Sequence, residues 1–246
     1  MRALPGWLTR TPIAHRGLHD AKAGVPENSL AAFEAAIAAG YGIELDLQLS
    51  ADGVAVVFHD DGLDRQTRRP GALADETVDA LGGMRLLGTA EKIPSFRRTL
   101  ATVAGRAPLL VELKTLGRAV GPLEAAAWHE LAGYTGRFAV QSFEPRTVAW
   151  FRRHVPDACR GQISGLYRDD RQGQSALRRF LLRNLLLSGP GRPDFIAYDV
   201  HGLGRPPVRL ARRLGLPVLT WTVRTGEQLA TARALADNVI FEQIRP

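Results

Sequence analysis

The 246-residue sequence has almost no cysteine and no long apolar run. Its single thiol, Cys159, cannot form a disulfide within the chain, which fits a reducing compartment and excludes a disulfide-stapled fold. Every apolar run falls short of the ~20 residues that span a bilayer, and no apolar core of a secretory signal precedes the first strand-like segment, near Pro12. We therefore expect a cytoplasmic protein.

Lysine is also scarce, although the chain is basic. Lys22, Lys92 and Lys114 are its lysines, so arginine supplies nearly all of the 32 positive charges that outnumber 25 acids and give a net charge of +7. A basic excess suits nucleic acid, an anionic membrane or a phosphorylated small molecule. Aromatic residues make up 7% of the chain, and no known motif interleaves them with basic residues, so we expect no nucleic-acid partner.

Short apolar segments alternate with helical patterns along the chain, and no GxGxxG fingerprint is present. This alternation predicts an α/β protein with a (β/α)₈ TIM barrel in a single domain, 1–246. The predicted strands are Ile13–His15, Gly42–Leu49, Val54–His59, Leu109–Leu113, Phe138–Ser142, Cys159–Ile163, Phe195–Val200, Pro217–Val223 and Asn238–Phe241. The predicted helices include Ser29–Ala39, Pro122–Ala132, Pro145–His154, Ser175–Leu187, Val208–Leu214 and Glu227–Ala236.

The connection between the second and third strands is too short for a crossover helix. Asp52-Gly53 is a strong hairpin turn, so we expect these strands to pair antiparallel and to distort the barrel. That hairpin would bring His59 beside Glu44 and Asp46. The segment that follows, 61–95, is long for a loop, and we expect it to form a small insertion over the mouth of the barrel.

Polar side chains collect at the predicted strand ends, where barrel enzymes place their catalytic groups. The first strand ends in His15-Arg16, and the third ends in His59-Asp60. Glu44 and Asp46 share one face of the second strand, as Glu112 and Lys114 do on the fourth. Taken one at a time, a strand-end histidine is more often structural, and an alternating Glu-x-Asp is more often a solvated strand face.

Together these residues favour a catalytic site. Glu44 lies in a run that should be buried, and buried carboxylates need a charged partner or a metal. The oxygen ligands of Glu44, Asp46 and Glu112 suit Mg²⁺ or Ca²⁺, while Arg16 and Lys114 would attract an anionic group. With histidines to move protons, the set predicts cleavage of a phosphodiester.

The ordered motifs IAHRG, PENSLAAFEAAIAAGYGIELDLQLSADGVAVVFHDD, KIPSF, VELK, QSF and WTV resemble the glycerophosphodiester phosphodiesterase family over nearly the whole chain. The resemblance implies a metal-dependent enzyme of glycerol and lipid metabolism that releases sn-glycerol 3-phosphate and an alcohol. The implied roles are acid/base catalysis for His15 and His59, metal binding for Glu44, Asp46 and Glu112, and phosphate binding for Arg16 and Lys114. Glu27 and Asn28 would order the site, and Phe143 and Trp221 would pack against the glycerol or the leaving group. The chain departs from the family pattern at Arg224 and at the closing string NVIFEQIRP.

Two other functions stay open at this stage. One is a lysophospholipase D or sphingomyelinase-like lipid phosphodiesterase on the same scaffold, and the other is an inactive binding or regulatory barrel. The basic amphipathic stretch 175–187 is predicted to be an outer helix of the barrel. The alternative interpretation is that it makes weak peripheral contact with an anionic membrane. The sequence fixes neither the leaving alcohol nor the oligomeric state.

Overall fold

A computed structural model of the protein describes residues 4–168 and 173–246, in which strands and helices alternate along the chain. The strands are β1 Ile13–Ala14, β2 Gly42–Leu49, β3 Ala55–Val57, β4 Leu109–Leu113, β5 Phe138–Ser142, β6 Arg160–Ser164, β7 Phe195–Asp199, β8 Val218–Val223 and β9 Asn238–Phe241. The α-helices are α1 Trp7–Arg10, α2 Leu30–Ala38, α3 Asp64–Thr67, α4 Val78–Gly83, α5 Phe96–Val103, α6 Pro122–Leu131, α7 Pro145–His154, α8 Ala176–Arg183, α9 Pro206–Arg213 and α10 Gly226–Leu235.

The strands form one nine-stranded sheet in the order β1-β9-β8-β7-β6-β5-β4-β2-β3, and β1 also pairs with β2. That extra pairing closes a ring of eight strands and leaves β3 outside it. Helices connect the parallel strands of the ring, so the chain has the predicted (β/α)₈ barrel fold.

The predicted hairpin is present. β2 and β3 pair antiparallel, with Leu47 opposite Val57 and Leu49 opposite Ala55. The turn between them has Gly53 at φ +78°, a left-handed conformation in which a side chain would be strained. The hairpin extends the carboxyl end of β2 beyond its pairing with β4, which covers Ile43 to Leu47.

Strand β2 is buried along nearly its whole length, although its sequence is apolar only at every second position. Ile43, Leu45 and Leu47 point to one side of the strand and are fully buried. The alternate positions carry the polar side chains Glu44, Asp46 and Gln48 on the opposite face. These polar groups are equally buried, so each needs a partner inside the fold.

The chain divides into two compact units. One, which we call the N-terminal unit, comprises Ala14–Lys114 and Gly121–Phe138, and it contains β2, β3 and β4. The other, the C-terminal unit, comprises Ala139–Pro246 and Thr115–Val120 together with the residues up to Ile13. The assignment of a single domain over 1–246 stays a prediction.

The segment 61–95 is an ordered insertion within the N-terminal unit. It contains α3, a 3₁₀ turn at Leu73–Asp75 and α4, whose N-cap is Thr77. Its apolar side chains form a small core against Val56 and Phe58 of the β3 region. The members of that core from the insertion are Leu63, Leu73, Leu81, Met84, Leu86 and Ile93.

Several helix boundaries differ from the predicted ones. The helix predicted over 175–187 ends at Arg183, because Leu185 turns the backbone into the left-handed region at φ +59°. Helix α5 was not predicted, although Ser95 caps its first turn. Within the described residues, no helix is long and apolar enough to cross a membrane.

Candidate active site

Three carboxylates converge in the N-terminal unit. Glu44 and Asp46 lie on one face of β2, and the parallel register places Asp46 directly beside Glu112 of β4. One ligand oxygen from each of the three residues lies within 4.8 Å of the others. All three residues are buried, with exposed fractions of 1%, 1% and 8% in the order given. The donor set therefore fits a hard divalent cation, which prefers carboxylate oxygens.

The crowding of these carboxylates is visible in their pKa values. Burial, followed by the negative charges of Asp46 and Glu112, raises the pKa of Glu44 well above its ordinary value. Burial also raises the pKa of Glu112, although Lys114 opposes the shift. These two groups resist ionisation without more positive charge nearby, as expected of residues that bind a cation.

Asp46 behaves differently because positive groups surround it. Burial alone would raise the pKa of Asp46, but His59, Lys114, Arg16 and His15 overcome that effect and hold it below its ordinary value. Asp46 is therefore the carboxylate of the three that stays ionised most readily. Both predicted catalytic histidines act electrostatically on this single side chain.

Lys114 faces two of the carboxylates. Its Nζ lies 3.4 Å from Glu112 Oε1 and 3.6 Å from Asp46 Oδ1. Burial would lower the pKa of Lys114, but Glu112 and Asp46 outweigh burial and raise it above the ordinary value. Lys114 therefore stays a cation at neutral pH, although it is largely enclosed.

Arg16 is the second cation of the site, and it contacts three acids. Its backbone N–H donates to Glu44 Oε2 at 3.0 Å, and its NH1 donates to Glu27 Oε1 at 2.7 Å. Its Nε lies 3.4 Å from Asp46 Oδ2 and makes no hydrogen bond, although it is buried. Arg16 thus keeps a buried N–H donor available next to the carboxylate cluster.

Asn28 supports the cluster from the loop that precedes α2. Its Nδ2 donates to Asp46 Oδ2 at 2.9 Å, and its backbone N–H donates to the carbonyl of Arg16 at 2.9 Å. Arg16 and Asn28 both have left-handed backbones, at φ +56° and +55°. Residues other than glycine rarely adopt this conformation because it costs energy, and the residues that do adopt it are often found at functional sites.

His59 belongs to a chain of polar contacts that the sequence patterns did not reveal. Its Nδ1 lies 2.6 Å from Asp60 Oδ1, and the other oxygen of Asp60 accepts a hydrogen bond from Arg65 Nε. Arg65 also donates twice to Glu27, at 2.6 and 3.0 Å. Burial opposes the ionisation of Asp60, but hydrogen bonds from His59 and Arg65 hold its pKa below the ordinary value.

The ionised state of Asp60 defines the tautomer of His59. A carboxylate accepts hydrogen bonds and donates none, so the proton of this contact must lie on Nδ1 of the imidazole. Nε2 is then the ring nitrogen that Asp60 does not engage.

Gln48 is a second residue that the predictions omitted. Its Nε2 donates to the backbone carbonyls of Phe58 and Asp60, at 3.1 and 2.6 Å, and so ties both neighbours of His59 to β2. Its alternation with Glu44 and Asp46 on one strand face is the sequence signal that could have identified it.

The predicted aromatic residues meet each other in the C-terminal unit. The rings of Phe143 and Trp221 contact edge to face, with centroids 5.3 Å apart, and Tyr167 approaches Phe143 in the same way at 6.3 Å. Trp221 Nε1 donates to the carbonyl of Ala197. Gly165 leaves room for the indole, since a Cβ at this position would lie 3.3 Å from the ring. Tyr167 was not among the predicted site residues.

Two positions that depart from the family pattern contact each other. Arg224, after β8, donates through Nε to the carboxylate of Glu242, after β9. The pair joins the ends of two neighbouring parallel strands in the C-terminal unit.

Comparisons with known proteins agree with one another. The profile of the glycerophosphoryl diester phosphodiesterase family matches residues 15–244. A Bacillus subtilis protein named "Putative glycerophosphodiester phosphodiesterase YhdW" is 30% identical over 94% of this chain and 93% of its own length. A phosphodiesterase from Oleispira antarctica, solved with sn-glycerol-3-phosphate, superposes with a TM-score of 0.76 over 96% of this chain and 94% of its own, at 23% identity. The glycerophosphodiester phosphodiesterase of Thermotoga maritima superposes with a TM-score of 0.70 over 94% of both chains, at 24% identity.

Proposed function

Because this chain belongs to the glycerophosphoryl diester phosphodiesterase family, and is thus a phosphoric diester hydrolase, we propose that it converts glycerophosphodiesters to sn-glycerol 3-phosphate and an alcohol. The observation that carries the proposal is the buried cluster of Glu44, Asp46 and Glu112 with Lys114 and Arg16 against it. The product held by the Oleispira antarctica neighbour supports a small glycerol phosphate in the site.

Glu44, Asp46 and Glu112 would hold one divalent cation, Mg²⁺ or Ca²⁺. Bound there, the cation supplies positive charge to a phosphoryl oxygen as negative charge develops on it. The chain contributes two cations of its own against three carboxylates. Lys114 and Arg16 would bind the other non-bridging oxygen of the singly charged phosphodiester and stabilise the negative charge that builds up on the phosphoryl group during the reaction.

His15 and His59 would move the protons. One of them would accept the proton of the attacking oxygen, from a water or from the glycerol 2-hydroxyl, and the other would give a proton to the leaving alcohol as its bond to phosphorus breaks. Attack by the 2-hydroxyl would form a cyclic glycerol phosphate, which a water would then open to sn-glycerol 3-phosphate with the same two histidines as base and acid. His59 would act through Nε2, because Asp60 holds its Nδ1–H. His15 directly follows β1 and is half-buried.

The remaining predicted residues would place these groups and the organic part of the substrate. Glu27 holds the guanidinium of Arg16, and Asn28 holds the carboxylate of Asp46, so both would order the phosphate site. The edge-to-face pair of Phe143 and Trp221 would pack against the glycerol or the leaving group.

Turnover of glycerophosphocholine tests the proposal. We expect activity to disappear on chelation and to return when Mg²⁺ or Ca²⁺ is restored. H15A and H59A should each lower kcat by about 10²- to 10⁴-fold without loss of thermal stability, while H154A, a change at an exposed histidine on α7, should have no effect.

Near-normal activity in both histidine variants would overturn their roles. A panel that adds lysophosphatidylcholine and sphingomyelin tests the substrate class. Faster turnover of either lipid than of glycerophosphocholine would replace the proposed substrate with a lipid phosphodiester. No turnover of any of the three, with metal present, would favour the inactive barrel.

A further inference from the structure

The large exposed apolar side chains of the described residues are concentrated on two successive helices. Leu177 and Phe180 lie on α8, Leu186 follows it, Leu210 lies on α9 and Leu214 follows that helix. Each exposes between 48% and 68% of its surface. Single exposed leucines need no explanation, but the confinement of all five to one part of the C-terminal unit does.

The connectivity places α8 and α9 on one face of the sheet. Helix α8 leads from β6 to β7, and α9 leads from β7 to β8, while β6, β7 and β8 are parallel neighbours. Crossovers between parallel strands are right-handed, so both helices lie on the same side of these strands. The apolar residues also share helix faces, since Leu177 and Phe180 are three positions apart and Leu210 and Leu214 are four apart.

Positive charge accompanies these apolar residues, and negative charge is absent. Segments 173–193 and 200–226 contain nine of the 32 basic residues and none of the 25 acidic ones. The rest of the chain therefore carries a small acidic excess, and the net charge of +7 originates in these two segments. The arginines concerned are Arg178, Arg179, Arg183, Arg192, Arg205, Arg209, Arg212, Arg213 and Arg224.

We propose that α8 and α9 form a docking surface for an anionic lipid membrane. Leucine and phenylalanine would enter the boundary between headgroups and acyl chains, and the arginines would contact anionic headgroups. The exposed Arg209, Arg212 and Arg213 of α9 carry much of this charge. On α8, Arg178 is partly engaged by Glu144 at 2.8 Å, so its contribution is smaller.

Charge complementarity favours this occupant over two others. A second copy of the chain in a symmetric dimer would bring arginine-rich segments against each other with no acid to pair with them. Nucleic acid would match the charge, but single strands bind through aromatic stacking, and four of the five exposed residues are leucines. A lipid interface uses both the aliphatic side chains and the arginines.

Vesicle sedimentation tests the surface. The full chain is mixed with vesicles of phosphatidylcholine alone, or of equal parts phosphatidylcholine and phosphatidylglycerol, at low and at high salt. We expect binding to the anionic vesicles only, with weakening as salt rises. R209Q/R212Q/R213Q should lower the partition coefficient by about tenfold or more, because each arginine near an anionic surface contributes to binding.

Two further variants make the test specific. R69Q/R98Q/R153Q removes the same charge from exposed positions elsewhere and should leave binding nearly unchanged. L177S/L210S/L214S keeps every arginine and should also weaken binding. Turnover of soluble glycerophosphocholine by all three variants should match the wild type, which shows that each is folded.

Three results would overturn the proposal. The first is failure of the wild type to bind anionic vesicles. The second is equal loss of binding in the two arginine triples, which would reduce the effect to net charge. The third is vesicle binding that L177S/L210S/L214S leaves unchanged, together with one of two other activities of the wild type. One is a concentration-dependent dimer in sedimentation velocity that this variant abolishes, and the other is binding of single-stranded RNA that this variant retains.

Discussion

Asp60 Oδ1 lies 2.6 Å from His59 Nδ1, so the acid that follows the histidine in sequence also orients its ring. The other oxygen of Asp60 is held by Arg65, which in turn holds Glu27. Glu27 is the partner of Arg16 at the carboxylate cluster. The proposed proton-transfer group and the proposed phosphate contact are therefore joined by one continuous set of hydrogen bonds within the N-terminal unit.

D60N should lower kcat by about tenfold to a hundredfold with little change in KM, because the amide can favour the wrong tautomer of His59. Steady-state kinetics across pH on glycerophosphocholine measures this effect. D61N, at the next residue, provides the control and should keep most of the activity. A D60N enzyme with normal kcat at every pH would show that Asp60 does not orient the catalytic ring.

R65Q should lower turnover by about tenfold or more, since it removes the link between Asp60 and Glu27. Its cost to stability should be small, because the Arg65 side chain is 49% exposed and exposed ion pairs contribute little. Kinetics together with thermal unfolding separates the two effects. R68Q, one helical turn away, should change neither kcat nor Tm. A large fall in Tm with unchanged kcat for R65Q would show that Arg65 stabilises the fold and does not position the catalytic groups.

E44Q should stabilise the metal-free protein at neutral pH. The folded-state pKa of Glu44 is raised, so its contribution to stability is present below the unfolded value of 4.5 and is lost as pH rises through the folded pKa. Glutamine cannot ionise, so the stability of E44Q does not fall in this way as pH rises. Urea unfolding after chelation, at several pH values, should therefore show the E44Q advantage growing as pH rises, whereas E227Q, at an exposed glutamate, should show none.

The same variant should lose the response to metal. Addition of Mg²⁺ or Ca²⁺ should raise the Tm of the chelated wild type, and a ligand at 100 times its Kd contributes about 2.7 kcal/mol. E44Q should show a much smaller rise. Equal metal-induced shifts in the wild type and E44Q would place the metal elsewhere.

E144Q should destabilise the C-terminal unit by about 2 kcal/mol near neutral pH. Burial opposes the ionisation of Glu144, but Arg146, with a second contribution from Arg178, lowers its pKa below the ordinary 4.5. Stability from a lowered pKa is present above the unfolded value and is lost as pH falls through the folded one. The difference in the free energy of unfolding between wild type and E144Q, measured with urea, should therefore shrink below about pH 4.5. A difference that is constant from pH 7 to pH 3 would contradict the ionic role of Glu144.

The sequence was most informative where burial leaves few choices. The bounds of β2, β4, β5 and β9 agree with the predicted segments, because short apolar or alternating stretches between turn residues are typical of strands. The hairpin followed from Asp52-Gly53 for the same reason, since few turns join strands so closely. Local pattern was enough for these elements.

Contacts that depend on long side chains were not predictable in this way. Arg65 reaches Glu27 across 38 positions, and neither residue carries a local signal for the other. Helix α5 was not predicted, although Ser95 caps it and Phe96, Leu100 and Val103 have helical spacing, because it is only eight residues long and directly follows the insertion. Secondary structure followed from periodicity, whereas the ionic connections required the tertiary fold.

The left-handed backbones of Arg16 and Asn28 cost the folded protein stability at the candidate site. Glycine at either position would relax the chain, yet it would remove the guanidinium beside Asp46 or the amide that holds it. The lost contact leaves a buried carboxylate without its partner, which costs about 3–5 kcal/mol, against the roughly 1–3 kcal/mol of backbone strain that glycine would relieve. The carboxylate cluster thus holds two strained backbones in place, and a library screened only for thermal resistance should retain Arg16 and Asn28.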